Sequence, residues 1–162
     1  MNTRMLVVVF GGQEAAAIQG LPAVLATARS DRRSVRLACF RKLPAPRMDR
    51  HDRVVADCDQ EMARITDATT TALTSALRQL SLDPVDIVVR FGTPVREVLR
   101  ETDAFTPDLI AFFAPPASAL ISRLRVWALR RRVAHRRARL VLVETPAVAR
   151  RQLEATPALA LP

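Results

Sequence analysis

Five short apolar runs divide the chain, and longer segments with a helical repeat of apolar residues separate them. Glycine or proline follows most of these runs, as expected where a strand ends. The runs lie at residues 5–10, 34–40, 85–91, 109–113 and 140–143. Runs with little polar alternation are typical of strands buried on both faces, as in a parallel sheet covered by helices.

The first interval between the runs predicts a helix over residues 14–28. Ile18, Leu21 and Leu25 recur there at the spacing of one helical face. Pro22 lies within the same segment, and it predicts either a kink or a later start of the helix.

Two further helices are predicted in the middle of the chain. The longest helical pattern covers residues 54–82, after a segment at 42–53 that contains two prolines and is predicted to be a loop. A shorter helix is predicted to reach from Val95 to about residue 103. Thr93 is its expected cap, and Pro94 suits the first helical position.

Strand and helix patterns alternate along the chain. This alternation predicts an α/β fold with a doubly wound, Rossmann-like parallel sheet of five strands and helices on both faces. One domain is predicted over residues 1–146, followed by a loosely attached tail at 147–162. Ligands of such sheets bind beyond the carboxyl ends of the strands, where the strand order reverses. The loops at residues 10–14 and 114–125 are predicted to form that edge.

Composition excludes several classes of protein. Hydrophobic residues make up 49% of the 162 residues, which is enough for a globular core. No apolar run approaches the ~20 residues of a membrane span, and the first run is too short for a signal peptide. A cytoplasmic location without membrane association is therefore predicted. Cys39 and Cys58 lack the spacing of a metal site and are predicted to be buried thiols in a reducing compartment.

No combination of side chains predicts catalysis or metal binding. His51 and His135 lie far apart in the sequence and are interpreted as surface residues. The start of the longest helix carries an acidic run, whose carboxylates interact favourably with the positive end of a helix. This run consists of Asp49, Asp52, Asp57, Asp59 and Glu61. No residue is assigned a catalytic or metal-binding role, and the protein is predicted not to be an enzyme.

Positive charge is concentrated near the end of the chain. Residues 118–139 hold eight arginines and no acid, whereas the net charge of the whole chain is +9. One interpretation is the solvated side of a helix. The other is an electropositive patch for an anion, a nucleic acid or an acidic protein, with the candidates Arg123, Arg125, Arg130 and Arg131. Specific nucleic-acid binding is disfavoured, because aromatic residues total 4% and tyrosine is absent.

Several segments together resemble the universal stress protein family. They are MLVVVFGGQEA at the first run and turn, VVRFGTPVREVL around the third run, and DLIAFF and ARLVLVE at the last two. Gly92, Pro94 and Val98 match the G-x-P-x-x-x-hydrophobic signature of that family. Over residues 5–146, the resemblance implies a five-stranded parallel sheet in the order 3-2-1-4-5. It also implies a homodimer that forms through the last strand.

The resemblance further implies where a nucleotide would bind. Nucleotide-binding members carry G-x2-G-x9-G-[ST] after strand four, because glycine lets backbone amides approach phosphates. In this chain the four positions fall on Phe113, Pro116, Val126 and Trp127, and the family's acidic residue at the end of strand one falls on Phe10. Pro116 has no N–H group to offer, and the Trp127 side chain would fill the space that the phosphates need.

The positions of this degenerate nucleotide cleft are Gly11, Gly12, Pro116, Val126 and Trp127. ATP is not expected to be a cofactor, and no other cofactor is implied. A phosphate loop is the alternative interpretation of the Gly11-Gly12 pair, but the pair lacks the G-x-G-x-x-G spacing, so a structural turn is favoured. Trp127 is expected to pack near the vacated phosphate loop, with a stacking contact to a ligand as the alternative.

Three hypotheses follow for the function. The preferred one is a non-catalytic, dimeric protein of the universal stress type that has lost nucleotide binding and acts through partners in the stress response. The second is a binding module for an anionic ligand or an acidic partner, which would use the arginine-rich segment. The third is a residual ATP-binding member of the family.

Overall fold

The first strand lies at the centre of a parallel sheet, and the other elements are arranged around it. The computed structural model describes residues 3–51, 53–114 and 138–144. In chain order, the elements are β1 (Arg4–Phe10), α1 (Glu14–Ser30), β2 (Ser34–Arg41), β3 (Arg47–Met48), β4 (Val54–Ala56), α2 (Cys58–Gln79), β5 (Asp86–Phe91), α3 (Pro94–Phe105), β6 (Leu109–Ala114) and β7 (Arg139–Glu144). All five predicted strands are therefore present.

All pairings in the main sheet are parallel, and the strand order is β5-β2-β1-β6-β7. Without the short strands β3 and β4, this is the order 3-2-1-4-5, so the predicted doubly wound topology is confirmed. The chain moves outward from β1 through β2 to β5, and then continues on the other side of β1 with β6 and β7. The strand order therefore reverses between β1 and β6.

The side chains of β1 are buried on both faces of the sheet. Met5, Val7 and Val9 belong to the apolar cluster that includes α1 and α2, whereas Leu6 and Val8 belong to the cluster on the α3 face. Each of these side chains is at most 1% exposed. Since successive side chains of a strand point to opposite faces, an uninterrupted apolar run suits a strand between two helical layers.

Helix α1 begins at Glu14 and remains helical through Pro22, so the predicted later start is wrong. Gly20 lies where this helix crosses β6, and a Cβ atom at that position would overlap the ring of Phe113. The missing side chain of Gly20 therefore allows α1 to approach the sheet closely.

The segment before α2 differs from the prediction. Residues 42–53 contain β3, which pairs antiparallel with β4. The long helix begins at Cys58, so the predicted start at Val54 is wrong. Two features override the apolar repeat there. A pair of β-branched valines favours a strand, and Asp57 caps the helix by accepting a hydrogen bond from Gln60 N at 2.8 Å.

Helix α3 starts at Pro94, as predicted. Thr93 occupies the N-cap position, but its side chain makes no capping hydrogen bond. Val98, the apolar position of the G-x-P signature, is fully buried. The signature residues thus place α3 against the sheet.

The arginine-rich segment at residues 118–139, for which one interpretation is the solvated side of a helix, and the tail at 147–162 lie outside the described residues, apart from residues 138 and 139. The domain boundary at residue 146 stays a prediction. Among the described helices, none is long and apolar enough to cross a membrane.

One buried carboxylate ties α3 to the sheet. The Glu101 side chain is 1% exposed, and it accepts hydrogen bonds from Arg36 at 2.8 Å and from Arg90 at 2.9 Å. Arg36 also reaches Asp86 at 2.6 Å, and its guanidinium lies 4.4 Å from the ring centroid of Phe105. Burial lowers the pKa of Arg36, but the hydrogen bonds to Glu101 and Asp86 outweigh burial and raise the pKa above its ordinary value. Glu101 is compatible with burial because two guanidinium groups satisfy its oxygens.

We expect Glu101→Gln to lower the free energy of unfolding by about 3 kcal/mol, because a neutral amide leaves two guanidinium groups without their shared counter-charge. Asp83→Asn is the matched control, since it removes the exposed ion pair between Arg29 and Asp83 at 2.7 Å. This control should lower the free energy by less than about 1 kcal/mol. Urea unfolding measures both values, and equal losses would contradict the role given to Glu101.

Candidate functional site

A cleft opens beyond the carboxyl ends of β1 and β2 and extends to the first residue of α3. It has a volume of about 400 Å³ and is lined by Phe10, Gly11, Phe40, Arg41, Lys42, Pro44, Ile65 and Pro94. Ligands of doubly wound sheets bind at this edge, and the volume is in the range of small-molecule sites. The part of the edge that follows β6 lies outside the described residues.

Backbone hydrogen bonds join three strand ends beneath the cleft. Gly11 N donates to Phe40 O at 2.9 Å, and Gly92 N donates to Arg41 O at 2.9 Å. These bonds connect β1 to β2, and β2 to β5, at the ends of their regular pairing. The floor of the cleft is therefore a continuation of the sheet.

The Gly11-Gly12 pair forms a tight turn. Gly12 has a φ of +83°, a conformation that other residues rarely adopt. Gln13 N donates to Phe10 O at 2.9 Å, and Gly11 N is engaged by Phe40. Because these two amides are bonded to carbonyl groups, they do not point toward a ligand. Two of the turn's amides therefore serve to hold the turn together and are not free to form a phosphate-binding nest.

Aromatic rings fill the end of β1 on the α3 face. The centroid of Phe10 lies 6.2 Å from that of Phe112, with 23° between the ring planes, and 6.3 Å from that of Phe40. These separations are in the favourable range for aromatic pairs. The side chains of Phe40 and Phe112 are buried. The surface at the end of β1 is therefore apolar.

An ion pair occupies the N-terminus of α1. Glu14 lies in the first turn of α1, and its Oε1 is 2.6 Å from Nη2 of Arg41, the last residue of β2. A carboxylate at this position interacts favourably with the positive end of the helix. An anionic ligand that approached the same helix end would meet the negative charge of Glu14. Lys42 is exposed and adds a positive charge to the cleft wall.

The two cysteines differ in their environments. Burial, and to a lesser extent the carboxylate of Glu14, raise the pKa of the Cys39 thiol to about 12, against an opposing effect of Arg41. Cys39 is 1% exposed, so its thiol is neutral and inert at physiological pH. Cys58 is only half-buried, and its Sγ lies 3.5 Å from Pro44 O. The prediction of a buried thiol is thus correct for Cys39 and wrong for Cys58.

Asp49 and Glu61, two acidic residues near the start of α2, have structural partners. Asp49 accepts hydrogen bonds from Arg53 N at 3.0 Å and from the N–H of the exposed His51 at 2.7 Å, and these bonds lower its pKa. Hydrogen bonds from Arg64 lower the pKa of Glu61. Within the described parts of the chain, no three acidic, histidine or cysteine side chains are grouped so that they could hold a metal ion.

Only two of the predicted site residues are described by the structure. Gly11 forms part of the cleft wall, and Gly12 follows it in the turn. The remaining candidates lie outside the described residues and keep the status of predictions. They are Pro116, Val126 and Trp127 of the degenerate motif, and Arg123, Arg125, Arg130 and Arg131 of the arginine-rich segment.

The contribution of the second strand to the cleft was not predicted from the sequence. Phe40, Arg41 and Lys42 line it because β2 neighbours β1, so that both strands end at the same edge. These residues could have been identified from the sequence, because the second apolar run comes directly after the first helix. Ile65 had no such signal, because only the packing of α2 brings it to the cleft.

Solved structures with this architecture include universal stress proteins. A universal stress protein in complex with cAMP matches with a TM-score of 0.53 and 14% sequence identity, over 90% of this chain and 100% of that chain. A universal stress protein family protein from Arabidopsis thaliana with AMP bound matches with a TM-score of 0.51 and 10% identity, over 90% of this chain and 94% of that one. No protein-family model and no curated protein matches the chain. The chain therefore has the fold of the universal stress proteins, as the sequence resemblance implied.

We expect iodoacetamide to modify Cys58 in the folded protein and to spare Cys39, because only the thiolate reacts and the Cys39 thiol is buried with a pKa of about 12. Mass spectrometry of tryptic peptides measures the modification at each site. The Cys58→Ser variant is the control and should react only after unfolding in urea. Rapid modification of Cys39 in the folded variant would contradict this account of the cleft floor.

Proposed function

We propose that the protein is a non-catalytic binding or regulatory protein of the universal stress protein type, and that it does not hold ATP in the usual mode of that family. The observation that carries this proposal is the packing of Phe10 on Phe112, with 6.2 Å between ring centroids. Phe10 occupies the end of β1, where the resemblance places an acidic residue in nucleotide-binding members. An apolar ring has replaced the polar group at that position.

The free energy of hydrogen bonding supports this proposal. A phenylalanine side chain neither donates nor accepts a conventional hydrogen bond, so a polar group of a nucleotide buried against Phe10 loses its contacts with water. A buried polar group without a partner costs about 1–3 kcal/mol. Such a loss weakens binding by roughly fivefold to 150-fold.

The charges and the backbone amides beside Phe10 also disfavour the binding of a nucleotide. Glu14 places a carboxylate at the N-terminus of α1, 2.6 Å from its counter-ion Arg41. A triphosphate would have to approach this carboxylate or displace it from Arg41. The amides of Gly11 and Gln13 are already bonded to carbonyl groups and do not replace the lost contacts.

The ligands bound in the similar structures indicate what this architecture can hold, and they do not by themselves indicate what this cleft binds. One of those universal stress proteins is in complex with cAMP and another has AMP bound, and they share 14% and 10% sequence identity with this chain. The architecture is therefore compatible with nucleotides, and the side chains of each cleft decide whether one binds. In this chain the side chains of the cleft form an apolar surface, and the carboxylate of Glu14 already offsets the positive end of the neighbouring helix α1.

A homodimer through β7 is part of the proposal. Among the described strands, β7 pairs only with β6 and forms the outer strand of the sheet. Its Val141 side chain is 43% exposed, which is unusual for a valine in a strand. A second copy of β7 would cover that side chain. A cytoplasmic location is also proposed, and the two unpaired cysteines support it.

Isothermal titration with ATP and with AMP tests the central proposal. We expect no binding tighter than about 1 mM for either nucleotide, because the cleft offers Phe10 and Glu14 where polar donors are needed. Micromolar binding of ATP would contradict the proposal and favour the residual ATP-binding hypothesis. Phe10→Leu is a matched variant, which keeps the position apolar and should leave the result unchanged.

A second candidate function is the binding of an organic anion with an apolar body. The observation that favours it is the cleft lining, in which the exposed Lys42 lies beside the apolar side chains of Phe10, Pro44 and Ile65. Apolar walls with a few charged groups are typical of small-ligand sites. The arginine-rich segment remains the alternative anion-binding surface, with Arg123, Arg125, Arg130 and Arg131 as its candidates.

Fluorescence titration with anilinonaphthalene sulfonate, an aromatic anion, separates the two surfaces. We expect Lys42→Glu to weaken binding about fivefold, because an exposed charge contact contributes up to about 1 kcal/mol and the substitution reverses it. The double substitution of Arg130 and Arg131 by Glu should leave binding nearly unchanged. The reverse outcome would assign anion binding to the arginine-rich segment, and no saturable binding would exclude the second candidate.

A further inference from the structure

The edge strand β5 is the most accessible strand of the main sheet among those whose side chains are fully described. None of its six residues is buried, whereas the five central residues of β1 are all buried. Among the described strands β5 pairs only with β2, so the N–H and C=O groups along its outer side are available for another strand. An edge of this kind accepts an extended peptide unless something covers or blocks it.

A cavity adjoins this edge on the face that α2 covers. Its volume is about 300 Å³, and it is lined by Thr74, Leu77, Arg78, Leu82, Pro84, Val85 and Ile87. The lining is mostly apolar, and it extends from the last turns of α2 to the beginning of β5. A strand added beside β5 would direct alternate side chains toward this face of the sheet. The volume is sufficient for one aliphatic or aromatic side chain.

The charges around the cavity favour an acidic partner. Asp83 is engaged by Arg29 at 2.7 Å, and Asp86 is engaged by Arg36 at 2.6 Å. Arg78 is exposed on the last turn of α2, and it forms no ion pair within the part of the chain that the structure describes. A carboxylate next to the inserted apolar side chain would meet this guanidinium.

We propose that the β5 edge binds an extended segment of a partner protein, in which an apolar side chain enters the cavity and a neighbouring acidic side chain pairs with Arg78. The segment adds a sixth strand to the sheet through main-chain hydrogen bonds. Affinity then comes from the backbone, and specificity from the cavity and the charge. This interaction lies on the outer edge of the sheet, and it does not depend on whether the cleft binds a nucleotide.

Two synthetic peptide sets test this proposal with the full-length protein. In one set valine or isoleucine alternates with glutamate over eight positions, and in the other lysine replaces every glutamate. We expect the acidic set to bind about fivefold more tightly, which is the size of an exposed charge contact. We also expect binding to slow amide hydrogen exchange along Asp86–Phe91.

Two variants connect the binding to the cavity and to Arg78. Thr74→Phe fills the cavity without touching the edge and should weaken the acidic peptides at least tenfold, because one apolar side chain can no longer be buried. Arg78→Glu should reverse the preference between the two peptide sets. Arg96→Glu, at an exposed position of α3 on the opposite face, is the matched control and should preserve the preference.

Several results would overturn the proposal. They are the absence of binding by either set, exchange protection outside β5, and an unchanged preference in the Arg78→Glu variant. Concentration-dependent protection of β5 in the protein alone would assign the edge to a second copy of the chain. All of these outcomes are independent of the nucleotide titration, so the two proposals fail separately.

Discussion

The structure depends on a single constraint, which is that β1 is buried on both faces and pairs in parallel with a strand on each side. Its side chains alternate between the α1–α2 layer and the α3 layer, and each is at most 1% exposed from Met5 to Val9. Because β1 is the first strand of the chain and has a neighbour on each side, the chain reverses its direction of travel across the sheet at β1. The same constraint brings the turn after β1 and the ends of its neighbours to one edge, where the cleft lies.

The helical layers are attached to this sheet by different means. Helix α1 packs closely against the sheet, because the missing side chain of Gly20 leaves space for the ring of Phe113. Helix α3 relies on the buried carboxylate of Glu101, which Arg36 and Arg90 neutralise from two adjacent strands. Because α3 begins at the cleft with Pro94, the ion pairs of Glu101 also help to fix the shape of the cleft. Removing a buried charge partner is costly, so this network constrains the position of the helix.

The cleft lies at the edge where doubly wound sheets bind ligands, and its lining is largely apolar. In structures of similar architecture, one universal stress protein is in complex with cAMP and another has AMP bound. In this chain the end of β1 carries an aromatic cluster, and the nearby helix end carries Glu14 with its partner Arg41. The fold supplies a place for a ligand, whereas the side chains set the chemical class that it accepts. These side chains are the basis of the proposal that the protein does not hold ATP in the usual mode of the family.

The class of fold, the five main strands and the start of α3 can be predicted from the sequence, because these follow from local patterns. Apolar runs, helical repeats and a proline at the first helical position act within a few residues of one another. The sequence failed at Val54, where the apolar repeat continued but β-branched residues and the Asp57 cap favoured β4 before the helix. The chemistry of the cleft and of the β5 edge, in contrast, depends on contacts between residues that are far apart in the sequence. Glu14 and Arg41 are 27 positions apart, Arg36 and Glu101 are 65 apart, and the Phe10–Phe112 contact joins two different strands. Such contacts depend on how the layers pack, and packing is not encoded in any short window of the chain.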